Sequence, residues 1–149
     1  MRNHFPILMA EDDEDDRLLA RESFDEGKLL NPLIIVDNGQ EVLDYLQGDG
    51  KFSDRAAFPL PSLILLDLNM PIMDGRQVLE HIKGDERFRR IPVIILTTSK
   101  AEADILASYD LGAASYIAKP VTFKGMVDMM ITFGRYWVEF VELPQDRED

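Results

Sequence analysis

Cysteine is absent from the 149-residue chain, which excludes a disulfide scaffold, a thiolate zinc site and a thiol nucleophile together. Histidine is nearly absent: only His4 and His81 occur, far apart and placed like surface residues more than metal ligands. Long hydrophobic runs are missing too. The longest apolar stretches are four to six residues, far short of the roughly 18–20 that a membrane-spanning helix needs. Residues 1–10 lead into acid at Glu11 before a signal-peptide core can form, so a cytoplasmic location is the expectation. Glycine and proline, at nine and eight residues, are too few for a linker or low-complexity protein. Positive charge is scarce: 16 Lys and Arg stand against 28 Asp and Glu, a net charge of −12. That balance repels nucleic-acid backbone and anionic membrane alike, and neither is an expected partner. What remains, 46% apolar and 30% charged residues, is the composition of one soluble globular domain. Its length suffices to bury a core without disulfide or metal staples.

Five short apolar runs punctuate the sequence: Ile7–Ala10, Leu33–Val36, Leu63–Leu66, 93–96 and Ser115–Ala118. None shows the in/out alternation of a half-solvated strand, which is how strands covered on both faces read. Between them lie amphipathic stretches marked by Leu18, Leu19 and Phe24, by Val42, Leu43 and Leu46, by Val78, Leu79 and Ile82, and by Ile105, Leu106 and Leu111. Each ends near a glycine (Gly27, Gly48, Gly84, Gly112), where a left-handed cap is expected. A fifth helix is predicted from near Thr122. The alternation predicts one α/β domain, a (βα)5 doubly wound parallel sheet. Residues 48–61, held off from helix by Gly48, Gly50, Pro59 and Pro61, are expected to form a mobile surface loop. In the fifth helix, Val127, Met130, Ile131 and Gly134 supply an apolar stripe toward the sheet. Phe133, Tyr136, Trp137 and Phe140 then add more aromatic surface than one stripe needs.

Ligands of open α/β sheets gather at the carboxyl ends of the strands. The first strand leaves Glu11, Asp12 and Asp13 there; the second leaves Asp37 and Asn38, the third Asp67, the fourth Thr97 and Thr98, and the fifth Lys119. Singly, each has an ordinary explanation. Acids suit the start of a helix, Asp67 suits a turn ahead of Pro71, Thr97 a helix cap and Lys119-Pro120 a loop. Jointly they place carboxylates, a hydroxyl and an ammonium on one edge of one sheet. Neighbouring carboxylates repel and raise the proton affinity of one of them unless a cation intervenes. A hard divalent ion with oxygen ligands answers that repulsion. Lysine and threonine would then hold an anion beside it, which together describes phosphoryl transfer onto Asp67.

In these residues the chain resembles the receiver domains of two-component response regulators. The matching pieces are Glu11-Asp12, the run Asp67-Leu-Asn-Met-Pro-Ile-Met-Asp-Gly75, Thr97 at the end of an apolar strand, and Gly112-Ala-Ala-Ser-Tyr-Ile-Ala-Lys-Pro120. The resemblance covers residues 5–133 and leaves 134–149 as a C-terminal helix extension and tail. It implies the flavodoxin-like strand order 2-1-3-4-5. The acidic start through Arg17, the 48–61 loop and the aromatic end through Pro144 are similar to the small stand-alone regulators that partner phytochrome-type histidine kinases. By this resemblance Asp67 is the phosphoacceptor. Asp12, Asp67 and the backbone carbonyl of Asn69 would ligate Mg²⁺, and Glu11 would hold a water on it. Lys119 and Thr97 would take phosphoryl oxygens, and Tyr116 would be the rotating aromatic switch of the output face. The protein would then be no enzyme beyond Mg-dependent self-phosphorylation and self-dephosphorylation. With no room for an output domain after Pro120, it would signal by protein contact or onward phosphotransfer. Two positions depart from the family's commonest form: Glu11, which lengthens the reach to the metal, and Thr98, which crowds the acceptor.

Rival readings are weaker. A flavodoxin-like cofactor binder needs a Gly/Ser/Thr-rich loop where Glu11 and Asp12 stand, and a P-loop fails because Tyr45 lies five positions before Gly50. A haloacid-dehalogenase-like phosphatase needs a second aspartate where Asn69 stands. A non-phosphorylated adaptor would lack the acidic pair, the acceptor or the lysine. The aromatic C-terminal surface predicts a two-fold homodimer, the alternative being a tail folded back onto its own domain.

Overall fold

Consecutive apolar residues can all be buried in a strand only if both of its faces are covered. The computed structural model describes residues 4–144; residues 1–3 and 145–149, the far end of the expected tail among them, lie outside the described residues. It runs β1 (Ile7–Ala10), α1 (Glu14–Glu26), β2 (Leu33–Val36), α2 (Gly39–Gln47), β3 (Leu63–Leu66), α3 (Gly75–Gly84), β4 (Val93–Thr97), α4 (Glu102–Asp110), β5 (Ser115–Ala118) and α5 (Phe123–Phe133). The strands pair in parallel in the order β2-β1-β3-β4-β5, as expected. Strand alternation sorts the core into two layers. Ile7, Met9, Leu63, Leu65, Ile94 and Leu96 pack with Phe24, Met126 and Met130 of α1 and α5. Leu8, Ala10, Ile64, Leu66, Val93 and Ile95 pack with Val42, Leu46, Val78 and Ile82 of α2 and α3. The three central strands are buried at every position. The rims differ: β5 is half-buried throughout and β2 is buried only at Val36, because an edge strand has a neighbour on one side only.

Side chains that accept from free backbone N–H groups start the helices. Asp13 Oδ1 accepts from Asp15 at 2.8 Å and Asp16 at 3.2 Å, and Asn38 and Thr122 do the same for α2 and α5. Asp74 and Gln77 form a reciprocal capping box on α3. Of the four glycines expected at left-handed caps, Gly48 and Gly112 have positive φ, at 72° and 106°. Gly27 is right-handed and the positive φ falls one residue on, at Lys28, while Gly84 closes α3 without one.

The 48–61 segment is not a loose loop. Gly50–Phe52 forms a single 3₁₀ turn that buries Phe52, whose ring packs 5.1 Å from Tyr45 and 5.3 Å from Phe58. Tyr45 Oη donates to the Pro59 carbonyl at 2.8 Å. The Arg55 guanidinium donates to the carbonyls of Tyr45, Leu46 and Phe58, and so closes α2 from outside. The C-terminal stripe also differs from expectation. Met126, Met130, Phe133 and Gly134 are buried, whereas Val127 is half-buried and Ile131 exposed. A π-helical stretch, Gly134–Phe140, continues α5 and shifts its inward face, so that Val138 and then Leu143 join the core. A Cβ on Gly134 would lie 2.4 Å from Leu29 Cδ2, so glycine admits Leu29 there. Trp137 is half-buried, while Tyr136 and Phe140 stay 56% and 71% exposed.

Candidate functional site

The backbone register brings the ends of β1, β3, β4 and β5 side by side. Asp67 N–H donates to the Ala10 carbonyl at 3.4 Å, and Lys119 N–H to the Thr97 carbonyl at 2.8 Å. Glu11, Asp67, Thr97 and Lys119 are all buried, and Asp12 is exposed. One carboxylate oxygen each from Glu11, Asp12 and Asp67 lies within 4.8 Å of the others. Lys119 Nζ enters this cluster, donating to Glu11 Oε1, to Asp67 Oδ2 at 3.2 Å and to Asp16 Oδ2 at 3.1 Å. The repulsion expected among the acids is therefore met by the chain's own ammonium.

The charges respond to this packing. Burial pushes the Glu11 carboxyl up from its usual range, against the lowering pull of the Lys119 hydrogen bond and charge. For Lys119, burial works to lower the pKa, but the Glu11 hydrogen bond and the Asp67 and Glu11 charges overcome it and raise it. Glu11 is steadied further: its Oε2 accepts from Asp13 N–H at 3.2 Å, and its backbone carbonyl accepts from Arg17 Nε at 2.7 Å. Arg17 in turn pairs with Asp37.

The ordinary explanations of single residues are only partly met. Asp13 caps α1, yet Glu11 of the same run is interior. Asp67 Oδ1 does accept from Asn69 N–H, at 3.1 Å, in a local turn. Thr97 caps nothing: α4 starts after Ala101, and the buried Thr97 Oγ1 has no hydrogen-bond partner among the described residues. A buried hydroxyl without a partner is costly in a finished fold, and this one ends β4 between the strands that carry Asp67 and Lys119. Tyr116 stands apart from the carboxylates, half-buried, its Oη donating to the Ser99 carbonyl at 2.9 Å. Asp16 went unnoticed as a site residue. Its only sequence signal is its place in the first turn of α1, four residues after Asp12. Arg76 carried no local signal, because its partner Asp104 lies 28 residues on; Ser99 and Asp104 meet locally, five residues apart at the start of α4.

A family model described as the response regulator receiver domain matches residues 7–131. The response regulator Rcp1 of Synechocystis sp. is 39% identical over 138 residues, covering 93% of this chain and 92% of that one. Among solved structures, the phosphorylated cyanobacterial phytochrome response regulator RcpA aligns at 35% identity with a TM-score of 0.88, covering 95% of this chain and 99% of that one. The Mn²⁺-bound form of Rcp1 aligns at 38% identity and a TM-score of 0.86, with the same coverage.

Proposed function

The chain belongs to the response regulator receiver family, and from that membership we propose that Asp67 accepts a phosphoryl group from a histidine kinase. The observation that carries this reading is the convergence, at one strand edge, of the Asp67 carboxylate, the Lys119 ammonium at 3.2 Å and the unpartnered Thr97 hydroxyl. An Asp67 oxygen attacks the phosphorus, a P–O bond forms and the P–N bond to the kinase histidine breaks, and the imidazole leaves with a proton. Lys119, already between Asp67 and Glu11, turns an N–H to one phosphoryl oxygen, and Thr97 Oγ1 donates to another.

The donor set fits a hard divalent cation: three carboxylates with oxygens within 4.8 Å and no nitrogen or sulfur ligand. Asp12, Asp67 and the Asn69 carbonyl would hold Mg²⁺, with Glu11 acting through a water. When bound, the ion would offset the charge of the carboxylates and of the incoming phosphate. The structure of Rcp1 with Mn²⁺ supports a divalent ion in a similar chain. A haloacid-dehalogenase-like phosphatase is not favoured, since the family match spans most of the chain.

Similarity to RcpA, a phytochrome response regulator, supports a phytochrome-type kinase as the partner. Among the described residues no helix is long and apolar enough to cross a membrane, in keeping with a cytoplasmic protein. The exposed ring of Phe140, and a groove of about 410 Å³ lined by Ile117, Met129, Phe133, Tyr136 and Trp137 with Asp128 and Thr132, support a homodimer through this face. Light scattering with and without a phosphoryl mimic tests it, and a monomer in both states removes it. For the phosphoacceptor, incubation with acetyl phosphate and Mg²⁺ should add one phosphoryl group by intact mass, mapping to Asp67. An unmodified mass, or label elsewhere, overturns the assignment.

A further inference from the structure

The start of α3 rests directly on the acceptor loop. Gly75 N–H donates to the Leu68 carbonyl at 3.0 Å, and a Cβ on Gly75 would lie 2.4 Å from the Asp67 carbonyl oxygen. The next residue, Arg76, reaches across to α4 and forms an ion pair with Asp104 Oδ1. The other Asp104 oxygen accepts from Ser99 Oγ at 2.7 Å, and Ser99 Oγ accepts from Ala101 N–H at 3.3 Å. The Ser99 carbonyl is the acceptor for Tyr116 Oη. Polar contacts, linked through the backbone at residues 75–76 and at Ser99, therefore run from the acceptor loop through Arg76, Asp104 and Ser99 to Tyr116 without passing through the carboxylate cluster. Ala101 offers α4 no side-chain cap; the Ser99–Asp104 hydrogen bond fastens the loop on the α4 side, and the Tyr116 hydroxyl on the Ser99 carbonyl holds it on the β5 side. Arg76 is held charged first by its Asp104 hydrogen bond, and Asp104 is held below its usual range first by Ser99 and then by Arg76.

We propose that Arg76 and Asp104 are positioning residues: their pair fixes the loop between β4 and α4, setting both Thr97 at the site and the Ser99 carbonyl that holds Tyr116. Both residues act through others and touch no reacting atom. Side chains sharing one network lose their effects together and not independently.

The test uses the whole protein with carbon-13-labelled tyrosine, the Tyr116 signal being identified by its loss in Tyr116→Phe. Arg76→Gln and Ser99→Ala should each shift the Tyr116 signal and slow uptake from acetyl phosphate about 3- to 10-fold. The double variant should be no worse than either single one. Arg76→Lys, which keeps the charge, should recover most of both readouts. Mg²⁺ affinity should not change, because none of the carboxylates is altered. A Tyr116 signal and an uptake rate at wild-type values in Arg76→Gln overturn the proposal, as do additive effects in the double variant. If Arg76→Gln fails to fold, Ser99→Ala decides by the same two readouts. The uptake arm rests on Asp67 as phosphoacceptor and the tyrosine signal does not. A wild-type protein that takes up no phosphoryl group therefore defeats that reading alone, and the Tyr116 shift still judges the network.

Discussion

Replacing Lys119 by methionine keeps an unbranched side chain one atom shorter and removes the ammonium from among Glu11, Asp16 and Asp67. Glu11 and Asp67 are buried and would be left with no counter-ion among the described residues. Removing one partner of a buried ion pair costs about 3–5 kcal/mol. For a domain of this size that lowers the melting temperature by roughly 6–20 °C at neutral pH. The pH dependence has a definite sign. The folded pKa of Lys119 lies above its ordinary 10.5, so its stabilising contribution is complete below 10.5 and is lost only as pH climbs through the folded value. The folded pKa of Glu11 lies above its ordinary 4.5, so Glu11 favours the fold below 4.5 and that contribution fades as pH rises through the folded value. In Lys119→Met the carboxyl loses the partner that pulled it down, and it protonates at a still higher pH. The gap between variant and wild type should therefore be widest near neutrality and should shrink on acidification. Mg²⁺ should narrow it as well. Thermal melts by circular dichroism at several pH values, with and without Mg²⁺, measure all three effects. A variant as stable as wild type at neutral pH, or a gap that widens in acid, would refute the reasoning.

Asp67→Asn keeps an oxygen for the Asn69 N–H but loses the nucleophile. It should fold, by circular dichroism, and show no added phosphoryl group by mass. Asp12→Ala should abolish Mg²⁺ binding, read from amide NMR shifts at residues 10–13. In the absence of metal it should melt no lower than wild type, since one of three crowded carboxylates is gone. Phe52→Ala empties the ring contacts with Tyr45 and Phe58 and should cost about 3–5 kcal/mol by urea unfolding. A free surface loop would lose nothing.

The fold was legible where a local pattern has one physical meaning. Uninterrupted apolar runs meant strands covered on both faces, which holds for β1, β3 and β4. Asp13, Asn38 and Thr122 sit where helices start because their side chains satisfy backbone N–H groups. The candidate site was legible because strand ends collect ligands, and four strand ends here carry Glu11, Asp67, Thr97 and Lys119. Illegible features depend on contacts that no local window contains. The stripe of α5 is offset from the expected one although Met126, Met130 and Phe133 keep ordinary helical spacing, because adjacent apolar rows compete for the sheet and no local window says which wins. Past Phe133 a π-helical stretch then brings Val138 into the same layer. The 48–61 loop looked mobile from its glycines and prolines. What orders it is the Phe52 ring packed on Tyr45 and Phe58, together with Arg55 reaching back to the carbonyls at the end of α2. The Arg76–Asp104 pair joins positions 28 residues apart, and either partner alone reads as a solvated surface charge.

The lysine at the centre of the site lies 108 positions beyond the glutamate it neutralises. A ribosome therefore releases Glu11, Asp12 and Asp67 long before it makes Lys119. A sheet closed without β5 would bring the acidic strand ends together with no ammonium between them, and their mutual repulsion would oppose closing that edge. Placement of β5 completes the sheet and supplies the Lys119 ammonium to the acids together. A chain interrupted before β5 would lack the edge strand and carry the self-repelling corner as well, two separate reasons for quality-control proteases to find it.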